Sequence, residues 1–220
     1  DGGVYSYVTI ESGLGDGEVT LKNITINDDL IIQGGGSNSI HLVNCTVKGK
    51  VRMEKSGGEP LRLYLSKTPI SMITTTNPAI IEAADADSVI QKVQSRSDLT
   101  IQGAATVIGS LTIVDTDQEV SLHLSAGHVK QLQTHSSVQI INEENTVIDS
   151  LYAGGRLTLE KGDFPSVCVP AGTQAEVILD EGRIGRIEIN GNTKLHGEYD
   201  TVTVRGSLSL QKGSIKELYT

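Results

Sequence analysis

The 220-residue sequence predicts an all-β parallel β-helix (a β-solenoid) of roughly nine or ten coils, and three observations predict it. The first is a repeat. Residues 19–32, VTLKNITINDDLII, align with residues 40–53, IHLVNCTVKGKVRM, so that Leu21 falls on Leu42, Asn23 on Asn44 and Thr25 on Thr46. The second is alternation: Leu61, Leu63 and Leu65, then Val120, Leu122 and Leu124, put one set of side chains on a single face, as in a half-buried strand. The third is a recurring signature of a turn residue, a polar residue, then apolar–any–apolar. It reads DDLII from Asp28, GKVRM from Gly49, SDLTI from Ser97, GSLTI from Gly109, GRLTL from Gly155, GRIEI from Gly185 and GSLSL from Gly206. Gly, Asn and Asp at the joins accept the positive φ that sharp corners demand.

Taken in order, the chain reads as one domain over residues 1–220, with the Gly-rich residues 1–15 a cap or linker. The opening DGGVYSY carries neither Met nor a signal peptide and suggests a processed or excised piece, cut before Asp1. Asn23 and Asn44, at equivalent places, are expected to stack as an amide ladder that satisfies corner backbone groups. Residues 77–93, NPAIIEAADADSVIQKV, read as a helix with Asn77 as N-cap and Pro78 at its first position, or as further strand. Only twelve residues separate Ser97 from Gly109, less than a repeat, so those two signatures must fall on different sides of one coil. The 21-residue interval from Gly185 to Gly206 reads as one coil. Residues 24–35, ITINDDLIIQGG, also align with residues 202–213, VTVRGSLSLQKG. The closing SIKELYT is a second candidate cap or join; uncovered coils leave strand edges open.

Composition narrows the core and the partners. Aromatic residues make up 3% of the chain, with no Trp and one Phe, so Val, Ile, Leu and Ala must build the core. A formal charge of −9 argues against nucleic acid and against anionic membranes. No apolar run is long enough for a membrane-spanning helix. Cys45 and Cys168 have no CxxC spacing and are read as small core residues.

Residues with chemistry sit at the turns and on the outward strand positions. Asp28 with Asp29, and Asp115 with Asp117 near Glu119, offer paired hard oxygens for Ca²⁺, as do Asp85 with Asp87 and Glu143 with Glu144. No calcium-loop motif or calcium β-roll repeat completes any of them, and solvated turn acids are the plainer reading. Asp115 and Asp117 also have the type and spacing of a glycoside-hydrolase pair. The five histidines form no HExxH, and His41 and His123 read as solvated outward residues. No GxSxG elbow positions a nucleophile, and no helix follows the glycines of QGGGSN to hold a phosphate. Sugars stack their C–H faces on aromatic rings and take hydrogen bonds from amides, carboxylates and guanidinium groups. In LRLYLSK the inward leucines send Arg62 and Tyr64 outward on one face, making them candidates for sugar binding; Tyr152 and Tyr199 are read as further exposed rings.

At residues 19–51, VTLKNITINDDLIIQGGGSNSIHLVNCTVKGKV, the chain resembles segments of bacterial surface proteins and secreted polysaccharidases. Among these it is most similar to the family 54 carbohydrate-binding module, which sits beside the catalytic domain of a clostridial β-glucanase. The match covers about the first fifty residues, with echoes at residues 202–213. The resemblance implies a noncatalytic right-handed parallel β-helix that binds insoluble polysaccharide such as xylan, β-glucan or chitin, with a Ca²⁺ dependence. It carries no binding motif onto particular residues here. The expectation is a monomeric, secreted or cell-surface module joined to catalytic and anchoring domains. The alternatives are a β-helix polysaccharide lyase or glycoside hydrolase, and a spacer in a surface-layer protein.

Overall fold

A computed structural model describes residues 2–38 and 40–220; Asp1, with the cut suggested before it, and Ser39 lie outside the described residues. Every strand pairing among the described residues is parallel, each to the equivalent strand of the next coil. The result is a β-solenoid of about eleven turns with three faces. Sheet I starts with Gly3–Tyr5 and Ile24–Ile26, sheet II with Val8–Ile10 and Leu30–Ile32, and sheet III with Val19–Lys22 and Ile40–Val43. The parallel β-helix is therefore the fold, with slightly more coils than the length predicted.

The extra coil comes from corners that tighten along the chain. Val19 pairs with Ile40, 21 residues on, whereas Leu195 pairs with Leu210, 15 residues on. In the early coils sheets I and II use separate strands, as in Ile24–Ile26 and Leu30–Ile32. From Ile70–Thr75 onward one bent strand serves both, and Asn192–Val204 runs through all three faces. This corrects two sequence alignments. The signature at Gly185 leads into Ile187 on sheet II, but the one at Gly206 leads into Leu208 on sheet III, so that 21-residue interval is not one coil. Residues 24–35 and 202–213 likewise match in pattern while lying one face apart. The close signatures at Ser97 and Gly109 do fall on different sides, Leu99 on sheet III and Leu111 on sheet II.

Alternation sets the core. Leu61–Ser66 buries its three leucines and turns Arg62, Tyr64 and Ser66 outward, and the same pattern recurs in Ala79–Ala83 and Val120–Leu124. Stacked coil on coil, these residues form one continuous aliphatic column, each full burial contributing about 1.5–3 kcal/mol relative to exposure. Among the described residues only Phe164 and Tyr199 bring rings into it. No α-helix forms among the described residues. The segment at 77–93 is strand, Ala79–Ala83 followed by the start of Ile90–Ser95, because its apolar residues find ready partners in the coils on either side.

The corners confirm the amide ladder and add a second device. Asn23 and Asn44 hold φ of 57° and 53°, and Asn44 Nδ2 donates to Asn23 Oδ1 at 2.8 Å. One coil later Lys67 takes the left-handed place at 49°, and its N–H goes to the Asp85 carboxylate at 2.9 Å. Further on, the same corner is turned by a stack of glycines, Gly162, Gly182, Gly197 and Gly213, all at positive φ. A Cβ on Gly182 would overlap the Gly162 carbonyl, so the coils approach there too closely for any side chain.

Candidate functional site

The most developed polar cluster lies on the outer surface of sheet III. Because register pairs His41 with Tyr64, Tyr64 with Glu82 and Glu82 with Gln102, these four outward side chains stand in one row, one per coil. Arg62 leans across from the neighbouring row. Its guanidinium carbon sits 5.6 Å from the centre of the Tyr64 ring, and its Nη2 donates to Glu82 Oε2 at 2.5 Å. Gln102 Nε2 donates to the same oxygen at 2.6 Å. The His41 ring lies 5.1 Å from that of Tyr64, tilted by 53°, and its Nε2 is 3.0 Å from Glu18.

The electrostatics explain why the cluster holds its shape. Burial alone pushes the Glu82 carboxyl up, and it is the largest single influence, but the Arg62 and Gln102 hydrogen bonds with the Arg62 charge outweigh it and hold Glu82 below its ordinary value. The carboxylate in turn fixes the guanidinium against the ring. What results is a half-buried tyrosine ring, pinned on two sides, with hydrogen-bonding groups along its coil axis. Such a surface suits a polyhydroxylated ring that needs one apolar contact and several polar ones.

The other predicted residues do not join it. Tyr152 is half-buried on the outer surface of sheet II, one coil beyond Gln133. Tyr199 corrects the sequence reading: it is 1% exposed, inside the sheet I column. Its hydroxyl donates inward to the His196 carbonyl at 3.0 Å, with the Val177 carbonyl at 3.2 Å as the other acceptor within reach. Tyr199 turns inward because Asn192–Val204 makes its corners inside one continuous strand, which simple alternation cannot follow. Cys45 is buried as expected, whereas Cys168 points outward beside Tyr152.

The aspartate pairs lie apart, at corners of different coils. Asp29 is committed to coil stacking: its Oδ1 accepts the Lys50 N–H at 2.8 Å and its Oδ2 lies 3.9 Å from Arg52. Asp28, Asp115 and Asp117 are exposed. Among the described residues no group of three or more His, Cys, Asp or Glu side chains is placed to hold a metal ion. Ca²⁺ takes six to eight oxygens; each of these corners offers two carboxylates, of which Asp29 already accepts the Lys50 N–H. Elsewhere the outward acids meet bases one coil away, as in Glu143 with Lys161 at 2.8 Å, His128 with Asp149 at 2.9 Å and His196 with Glu176 at 2.9 Å.

Comparison with known proteins gives no match. No family model, no curated protein and no solved structure matches this chain. The site therefore rests on its geometry. Alternation in the sequence exposes Arg62 and Tyr64, but it does not find His41, Glu82 and Gln102. Those stand 23, 18 and 38 residues from Tyr64, and only the register of unequal coils brings them into its row.

Proposed function

We propose that this chain is a noncatalytic carbohydrate-binding module, which holds a secreted or cell-surface polysaccharidase against insoluble polysaccharide such as xylan, β-glucan or chitin. The observation that carries the reading is the Tyr64 ring, set half-exposed between His41 and Arg62 on a continuous parallel sheet. A continuous sheet surface suits a polymer, and the pinned ring lowers the ordering cost of stacking a sugar on it. Outward residues along each strand add polar groups about 6.8 Å apart, set by two residues of strand rise.

Affinity electrophoresis tests the proposal. Soluble β-glucan, xylan and glycol chitin in the gel are expected to retard the protein, and Tyr64→Ala to weaken the retardation on the preferred polymer by roughly tenfold in affinity. Unchanged mobility in every polymer would contradict the proposal. The same gels with Ca²⁺ or a chelator test the cation dependence implied by the resemblance.

A further inference from the structure

A second surface, on sheet II, differs in kind from the Tyr64 cluster. Register places Thr74, Gln94, Thr112, Gln133, Tyr152 and Cys168 in one row over six successive coils, all half-buried on the outer surface except Thr112, which is 7% exposed. The adjacent row over the same stretch contains Ser110, Gln131 and Ser150, with Lys92 as its only charge from coil to coil. No carboxylate interrupts either row there, although the protein carries 27 acidic residues. Charge returns at both ends of the first row, at Arg52 and at Glu188.

The amides of this strip are also uncommitted. Gln102 and Gln139, outward on sheet III, each donate to a glutamate of a neighbouring coil. Among the described residues Gln94, Gln131 and Gln133 make no such bond, and their neighbours in the rows are threonine, serine and tyrosine rather than carboxylates. An amide can donate and accept at once, as can a sugar hydroxyl, so a carboxylate-free strip of amides and hydroxyls, with Lys92 its one charge, complements a neutral polyol with little desolvation of charge. Coils repeat at about 4.8 Å, so the six-residue row spans about 24 Å. That repeat is close to the length of one pyranose unit. A chain lying along the solenoid axis would meet one side chain per sugar, with the Tyr152 ring near one end. The net charge of −9 repels acidic polymers from the same surface.

We infer that this sheet II strip binds a neutral polysaccharide chain running along the solenoid axis, with Gln94 and Gln133 as hydrogen-bonding residues and Tyr152 as a stacking residue. The inference rests on the carbohydrate-binding reading and adds to it a second surface, a chain direction and a preference for uncharged polymers.

The test uses the variant Gln94→Glu/Gln133→Glu beside Tyr64→Ala, in gels containing hydroxyethyl cellulose, soluble β-glucan or polygalacturonate. The row accepts a glutamate at Glu188, so the double variant is expected to fold, which far-ultraviolet circular dichroism checks. The expected result is retardation by a neutral polymer and not by polygalacturonate, with affinity lowered at least roughly tenfold in the double variant. If the double variant is retarded as strongly as the parent while Tyr64→Ala is not, the strip is overturned and the carbohydrate-binding reading stands. Equal retardation by polygalacturonate overturns the neutral preference. No retardation of the parent in any of these gels, nor in xylan or glycol chitin, overturns both.

Discussion

Asn44 shows how much one corner residue does. It adopts φ 53°, which costs most side chains free energy, and its amide bonds the rung above at 2.8 Å. Asn44→Ala is expected to lose both contributions, about 2 kcal/mol in all, while Asn44→Gly recovers the backbone part. Urea denaturation of the two variants separates them; equal loss in both would show that the amide bond alone matters. Glu82 gives a second test at this scale. Its folded carboxyl lies below the ordinary value, so its stabilisation is present above the unfolded-state pKa and is lost as pH falls through the lowered folded value. Replacing it with Gln is expected to flatten the acid side of the stability–pH curve, and an unchanged acid limb would contradict the pairing with Arg62 and Gln102.

A single coil is the element of this fold, and it was partly legible in the sequence. Alternation gave the inward leucines of Leu61–Ser66, and the aligned asparagines gave the corner ladder, because both are local and repeat without insertion. Register in the later coils was not legible. Corners that shorten from a 21-residue to a 15-residue repeat carry the same pattern from one face to the next, and they turn Tyr199 inward. The outward rows that form the candidate surfaces depend on that register, so their members could not be assembled from spacing. Since Ala79 and Leu99 occupy the same place in successive coils, deleting residues 79–98 removes one whole coil and keeps every later side chain on its face. That deletion is expected to leave a folded β-solenoid with a single, somewhat less stable unfolding transition. Deleting Ile81 alone should prevent folding, because it turns Glu82 into the core. Circular dichroism and urea melts compare the two, and a folded Ile81 deletion would contradict the register.

At the scale of the whole molecule, stacking converts a one-dimensional repeat into straight rows of side chains on three outer faces. Several outward acids are engaged by bases one coil away, and exposed pairs of that kind are screened by solvent and contribute little to stability. The sheet II strip carries no carboxylate, so a ladder of amides, hydroxyls and one ring runs along the solenoid axis at one residue per coil, with Thr112 the most covered of them. Calorimetric titration with neutral β-linked oligosaccharides of increasing length measures the consequence directly. The predicted result is an affinity that climbs with each added sugar and levels off at about six, the number of rungs at the coil spacing. A disaccharide that binds as tightly as a hexasaccharide, or the absence of binding heat at every length, would contradict it.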